Sequence, residues 1–386
     1  MKPEGSMVSP RTLITILGLA GFISAADNWF ISPVLPAIAS DFGIAIPLAG
    51  VILTAYLIPY GFMQPVFGVI GDRVGKVQVL QCILAGFALG SGACAFAESL
   101  TSLTIWRACT GFFAAGIIAV SLALIGDTVP ESERQRYVGI FMGIVFFGQG
   151  LSVGVEGILA TTLSWRIAFL IFSVIAVIVV LLLQRIPKTL PESSVRSVQD
   201  ELRSICKDRR SRLFPMAFLI GLLLIGVYSF LGAFLHQIVG LDYLQIGCIV
   251  MFFGFSCLIG GTQAGFLEER IGRRAMVTGG AGVATLSTLL LALFPGWGTG
   301  WIAAAGLGLG YICMQSTIAT LVFDIAPGSK GLPSALVGLG LFGGAGVGTA
   351  LLGMIIPVCG YSAAFLLFAL GMVGILILFI RAGEIE

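Results

Sequence analysis

Twelve mostly apolar runs follow one another so closely that little of the chain is left between them: 12–38, 46–70, 77–97, 101–125, 137–160, 165–184, 213–239, 244–267, 275–294, 298–323, 332–356 and 361–380. Each is long enough for a helix to cross the roughly 30 Å hydrocarbon core of a bilayer, which takes about 20 residues. A helix satisfies its own backbone polar groups where no water can. Charged residues make up 10% of the chain, against about 25% in soluble domains, and the longest polar stretch is 185–212. The expected fold is an all-α membrane protein with twelve transmembrane helices. The first run is too long for the apolar core of a cleaved signal and lacks an A-x-A site, so it is expected to remain. Glycine is abundant, at 53 residues, as suits helix backbones that pack closely in lipid. Of the 8 cysteines, Cys206 lies in the polar stretch and the others in or beside apolar runs, with no C-x-x-C pair. Neither a disulfide framework nor a zinc site is expected.

Basic residues set the orientation. All of the 21 Lys and Arg except Arg107 and Arg166 fall at the termini or in the even-numbered connections 71–76, 126–136, 185–212, 268–274 and 324–331. Lys and Arg accumulate in cytoplasmic loops, so both termini and these connections are expected in the cytoplasm. The basic stretch 203–212 (Arg203, Lys207, Arg209, Arg210, Arg212) suggests nucleic acid at first sight. A linker facing anionic lipid accounts for it better.

The first basic connection carries GVIGDRVGK, residues 68–76. A glycine-rich loop ending in lysine suggests a phosphate cradle, which requires G-x-x-x-x-G-K-[ST]. Here Gly71 and Gly75 have three residues between them, and Val77 stands where a metal-binding hydroxyl is needed. A repeat supplies the better explanation. At an offset of 197 the loop meets GFLEERIGR (265–273), pairing Gly68 with Gly265, Asp72 with Glu269, Arg73 with Arg270, Gly75 with Gly272 and Lys76 with Arg273. The same offset pairs Asp127–Pro130 with Asp324–Pro327 and Gly111 with Gly308, and an offset of 196 lays WRIAFLIF (165–172) on YSAAFLLF (361–368). The chain therefore reads as two pseudo-symmetric six-helix halves, 1–184 and 213–386, joined by the basic linker 185–212. Transporters built from repeats rock one half against the other around a central site. Such motion needs a contact at the cytoplasmic face that forms in one state and breaks in the other. Glycines permit sharp turns there, and acids at helix ends can accept from helix N-termini. The expected gate is Gly68, Asp72, Arg73, Gly75, Lys76 and Asp127, with Glu269, Arg270, Arg273 and Asp324 in the second half.

Twelve helices in two halves, with G-x-x-x-D-R-x-G-K after the second, resemble the major facilitator superfamily over essentially the whole chain. LTIWRACTGFFAA (103–115) is similar to that family's fourth-helix motif, with Arg107 and Gly111 in place and Thr110 where Gln is common. ADNWFISPVLPAI places Asp27 nine residues before Pro36, in a Leu-Pro pair, which resembles the first-helix acidic motif of drug:proton antiporters. In the fifth helix Gly150-x-x-x-Gly154 fits the antiporter motif, but Val155, Glu156, Gly157 and Ile158 depart from the proline and paired glycines expected next.

Asp27, Arg107 and Glu156 lie well inside apolar runs. A mid-helix charge costs about 2.5–3.5 kcal/mol on insertion scales, so such residues face a cavity or one another. At 1.5 Å per residue, Asp27 lies roughly 22 Å above the cytoplasmic entry of a core about 30 Å thick, and Arg107 roughly 9 Å below the outer end of its helix. The two are expected at nearly the same level, with Asp27 as the proton-coupling carboxylate and Arg107 tuning it. A nearby cation lowers a carboxylate pKa while burial raises it, so opening and closing the cavity shifts the balance. The alternative is a static pair that only locks packing. For Glu156 three roles stand side by side: recognising a cationic substrate, carrying a second proton, or sitting in water near the outer end.

Other polar or aromatic residues in the runs are Trp29, Tyr56, Gln64, Gln149, Tyr228, His236, Gln237, Gln263 and Gln315. A central site of a few polar groups in an apolar pocket is expected to draw on Asp27, Trp29, Tyr56, Gln149, Glu156 and Gln315, while His236 is given no role. The chain contains no nucleotide motif, no H-E-x-x-H and no nucleophile–histidine pair, so neither an enzyme nor a cofactor is expected. The reading is a secondary active transporter, exporting small amphipathic or cationic compounds in exchange for protons; the alternative is a transporter of one defined metabolite such as a sugar, organic acid, siderophore or lipid-like molecule. The expected partners are a small-molecule substrate, protons and membrane lipid, with no nucleic acid. The expected state is a monomer, in a bacterial inner membrane.

Overall fold

A computed structural model describes residues 9–188, 203, 205, 207–322 and 331–381. Among them, helices occupy all twelve expected runs. The first span is two helices, Pro10–Trp29 and Ile31–Asp41. The second to sixth are Val51–Val74, Lys76–Ala95, Leu100–Thr128, Glu131–Thr162 and Arg166–Leu183. The seventh begins at Leu213 and ends at Val239, and the eighth to tenth are Tyr243–Ile271, Arg273–Leu293 and Trp297–Val322. The last two spans share the helix Gly331–Arg381, broken at Gly360, where φ is 80°. Most of the linker expected over 185–212, and all of 324–330 with Asp324, lie outside the described residues.

The repeat seen in the sequence is also a repeat in three dimensions. In the first half the first span packs on the fifth, the second on the fourth, and the third on the fourth and sixth; in the second half the eighth packs on the tenth and the ninth on the tenth. The seventh meets the eleventh through Gly344, where a Cβ would lie 2.0 Å from the Phe218 carbonyl oxygen. A Cβ on Gly111 would lie 2.3 Å from the Tyr56 carbonyl oxygen, and one on Gly308 would lie 2.3 Å from that of Phe253. Both residues of each pair are related by the offset of 197. So are two pairs of left-handed glycines, Gly43 (φ 64°) with Gly240 (φ 80°), and Gly75 (φ 114°) with Gly272 (φ 83°).

Gly75 and Gly272 end the second and eighth spans with ψ of 131° and 156°, in a region that side-chain-bearing residues scarcely enter. Gly75→Ala and Gly272→Ala should each destabilise the protein by about 1–3 kcal/mol, read as a lowered midpoint of thermal unfolding in detergent. Gly265→Ala, at a glycine with open space around it, should leave the midpoint unchanged or raise it.

Large apolar side chains such as Leu89 (74% exposed), Met354 (71%) and Val358 (86%) point outward, a surface that only lipid would cover favourably. Inside, the two halves meet along two glycine seams. Between the fifth and eighth spans, a Cβ on Gly254 would sit 2.4 Å from Gly150 Cα, and one on Gly247 would sit 2.9 Å from Gly157 Cα. Between the second and eleventh, a Cβ on Gly61 would sit 2.7 Å from the Gly343 nitrogen, and the Thr54 hydroxyl donates to the Gly346 carbonyl at 3.2 Å.

The first and seventh spans are not continuous α-helices, and they touch. Pro33 and Pro36 lack the N–H groups that would bond the carbonyls of Trp29 and Ser32, and the first span turns at Phe30. The seventh contains π-helical turns at Gly221–Ile225 and Leu235–Val239, with a further interruption at Phe230. At the end away from the basic loops the Ser32 hydroxyl donates to the Tyr228 carbonyl at 2.7 Å. A Cβ on Gly232 would lie 2.3 Å from the Ser32 carbonyl oxygen. Interrupted helices of this kind line the central sites of repeat-built transporters.

Candidate functional site

Gly111 lets the fourth span lie directly on the backbone of Tyr56, which sets Arg107, one turn away, over the Tyr56 ring. The guanidinium carbon lies 4.1 Å from that ring's centre and 5.5 Å from the centre of Phe169. Its Nη1 donates to Asp27 Oδ2 at 2.8 Å and its Nη2 to the Asp27 carbonyl at 3.3 Å. Neither side chain of the pair is exposed at all. The second carboxylate oxygen of Asp27 and the Tyr56 hydroxyl are both buried; the two groups lie close enough to interact, and neither has any other hydrogen-bond partner among the described residues. Asp27 and Arg107, expected at nearly the same level, are in direct contact.

Two residues on, Trp29 leaves the first span just before its turn and joins an aromatic cluster drawn from four spans. Its ring centre lies 4.8 Å from Tyr228, 5.0 Å from Phe253 and 6.1 Å from Tyr311, and Tyr228 and Phe253 are 4.2 Å apart. The cluster thus ties the first half to the seventh, eighth and tenth spans. Beside it, Asn28, Trp29, Ser32, Leu53, Leu57, Ile225, Tyr228 and Ser229 line a cavity of about 10 Å³, room for one water. The centre is closed down around these rings.

No hydrogen bond found among the described residues joins the remaining candidates to the ion pair. Gln149 and Glu156 are buried in the fifth span, at 3% and 1% exposure. Gln149 Nε2 and both Glu156 carboxylate oxygens find no partner among the described residues. Gln315 is half-buried in the tenth span, with Oε1 likewise unpartnered.

At the basic end, buried Lys76 holds two acids, Asp127 at 2.6 Å and Asp72 at 3.2 Å. All three belong to the first half. In the second copy Arg273 Nε donates to Glu268 Oε1 at 2.9 Å, so Glu268, and not Glu269, the repeat partner of Asp72, makes this contact. Arg73, Glu269 and Arg270 are exposed, Gly68 has open space around it, and Asp324 lies outside the described residues. Arg166, one of the two basic residues off the loop pattern, pairs with Asp41 at the opposite end and donates to the Ala97 carbonyl at 3.1 Å.

Sequence reasoning missed Phe253 and Tyr311 as neighbours of Trp29. One signal was there for Phe253: it is the repeat partner of Tyr56, the aromatic residue under Arg107. Tyr311 carries no comparable mark.

A profile of the Major Facilitator Superfamily matches residues 17–332 and 213–384. An uncharacterized MFS-type transporter, YceJ of Bacillus subtilis (strain 168), is 25% identical over 343 residues, 86% of each chain. The multidrug resistance protein fnx1 of Schizosaccharomyces pombe (strain 972 / ATCC 24843) is 32% identical over 168 residues, which are 44% of this chain but 32% of that protein. Among solved structures, a mutant of the nucleoside transporter NupG superposes with a TM-score of 0.79 at 14% identity, over 95% of this chain and 99% of its own.

Proposed function

This chain belongs to the Major Facilitator Superfamily of transporters, and we propose that it works by alternating access as a proton-coupled exporter of small amphipathic or cationic compounds. The observation that carries the reading is the Asp27–Arg107 pair. It is fully buried beside the turn of the first span, next to an aromatic cluster contributed by both halves. A carboxylate whose cation partner sits on another helix changes its proton affinity when the helices move, because burial and the nearby charge act on it in opposite directions. Aromatic faces suit substrates with a flat apolar body and a positive charge. The Lys76–Asp72–Asp127 cluster orders the cytoplasmic end of the first half and Glu268–Arg273 that of the second, and the gate forms where these two ends meet. The protein acts as a monomer in a bacterial inner membrane, with the basic loops in the cytoplasm.

Transport in proteoliposomes under an imposed pH gradient tests this. Ethidium and tetraphenylphosphonium should both move uphill, at rates that collapse when the gradient is dissipated. Movement of a single neutral or anionic metabolite, with no cation moved, would replace drug export by transport of one defined compound.

A further inference from the structure

We propose that Glu156, and not Asp27, is the residue that binds the positive charge of a cationic substrate, and that a proton occupies it when the substrate is absent. This rests on the export reading above and narrows it to the substrate's charged group and its ligand. Asp27 is already compensated: Arg107 donates to its carboxylate and to its carbonyl, so the pair as a whole carries no net charge to attract a second cation. Glu156 is the reverse. It is 1% exposed, and neither oxygen has a hydrogen-bond partner among the described residues. A bare carboxylate buried in this way is costly, and a proton or a cationic ligand removes that cost.

The surroundings of Glu156 leave it available. The fifth span packs on the first and the eighth. Of the ionisable groups on those spans, Asp27 is held by Arg107, and the Tyr243 ring stacks at 5.3 Å on His236 of the seventh span. His236 Nδ1 lies 2.9 Å from the Leu241 carbonyl oxygen, and Arg166 of the sixth span pairs with Asp41. Gln149, Ser152 and Glu156 recur at helical spacing along one buried stripe of the fifth span, and Gln149 Nε2 is also unpartnered.

Position gives Glu156 access during the cycle. Its neighbour Gly157 lies on the seam between the halves, where a Cβ would be 2.6 Å from the Tyr243 carbonyl oxygen. Separation of the fifth and eighth spans therefore opens a path beside the carboxyl. Along the same seam Gly150 faces Gly254, the residue next to Phe253 of the aromatic cluster. Six residues of helix separate Gly150 from Glu156, roughly 9 Å. The ligand this arrangement fits is an amphipathic organic cation, with its apolar body toward the rings and its charge at Glu156.

The test uses purified full-length protein in weakly buffered detergent solution with ethidium and tetraphenylphosphonium as probes. Wild type should release protons to a pH-sensitive dye on binding either cation. Glu156→Gln should release none and bind both cations on the order of tenfold or more weakly, as expected for loss of one buried charge contact. It should unfold at the same temperature as wild type or higher, because it removes an uncompensated acid. Glu156→Asp should restore part of the release. Undiminished release from Glu156→Gln, or release lost only in Asp27→Asn, would overturn the assignment. Binding and release without uphill transport in proteoliposomes would instead leave Glu156 as the cation site and remove the export reading.

Discussion

Asp27→Asn will lose uphill substrate movement under a pH gradient and fall to the level of empty liposomes, while exchange down a substrate gradient continues. Arg107→Ala will fail earlier, at the level of the fold. Removing one partner of a buried ion pair leaves the other charge unpaired and costs about 3–5 kcal/mol. Here the guanidinium also covers the Tyr56 ring at 4.1 Å, so packing is lost with it. Thermal unfolding in detergent should show a large drop for Arg107→Ala. Asp27→Asn keeps an acceptor for Arg107 but not the charge, and its drop should be smaller. The double variant Asp27→Asn/Arg107→Gln should recover most of the stability, since a neutral pair of similar volume replaces a buried ionic one at little net cost. It should recover none of the uphill transport. A double variant that pumps normally would reduce the pair to a packing lock. Uphill transport retained by Asp27→Asn alone would take Asp27 out of the coupling.

Two glycines that face equally close contacts should fail in different ways. Gly308 meets the Phe253 carbonyl inside the second half, and Gly254 meets Gly150 between the halves. In Gly308→Val the added carbon would press on a backbone carbonyl in a helix pair that has no freedom to separate. Overpacking of that kind costs about 1–3 kcal/mol or more, and the protein should be recovered in low yield with a lowered unfolding midpoint. In Gly254→Val the clash lies between two bodies that can part. That variant should fold, elute as wild type does and show near-normal unfolding, yet transport at background. Gly254→Val with wild-type transport rates would mean that the seam does not close during the cycle.

Much of this architecture was legible in the chain. The twelve runs, the repeat and the basic loops are periodic or compositional features, and the runs and the repeat survive into the structure with their spacing intact. Gly75 and Gly272 are matched in sequence and matched again in left-handed φ. Asp27 and Arg107 were legible for a different reason. A charge in lipid is so unfavourable that two of them at one level, on helices of one half, have little choice but to pair. Glu156 followed the same logic as far as being singled out, but its isolation did not. The aromatic cluster was legible in part: Trp29 and Tyr228 stood out as aromatic residues in the runs and Phe253 carried a mark through the repeat, but Tyr311 is an ordinary residue in an ordinary apolar run, and nothing in the sequence brought the four together.

Sequence alone thus determined how many times the chain crosses the bilayer, that its halves are copies, and which charges must be hidden. Tertiary structure alone decided how each helix is turned about its axis. Lipid tails are as apolar as a packed interior, so a run of Leu, Val and Phe reads the same whether it faces a neighbour or the bilayer, and hydropathy cannot choose between the faces. That choice falls to close contacts: Gly111 on Tyr56, Gly254 on Gly150, Gly232 on Ser32. These contacts bring Trp29, Tyr228, Phe253 and Tyr311 together at the centre and leave Glu156 buried beside the seam without a partner among the described residues.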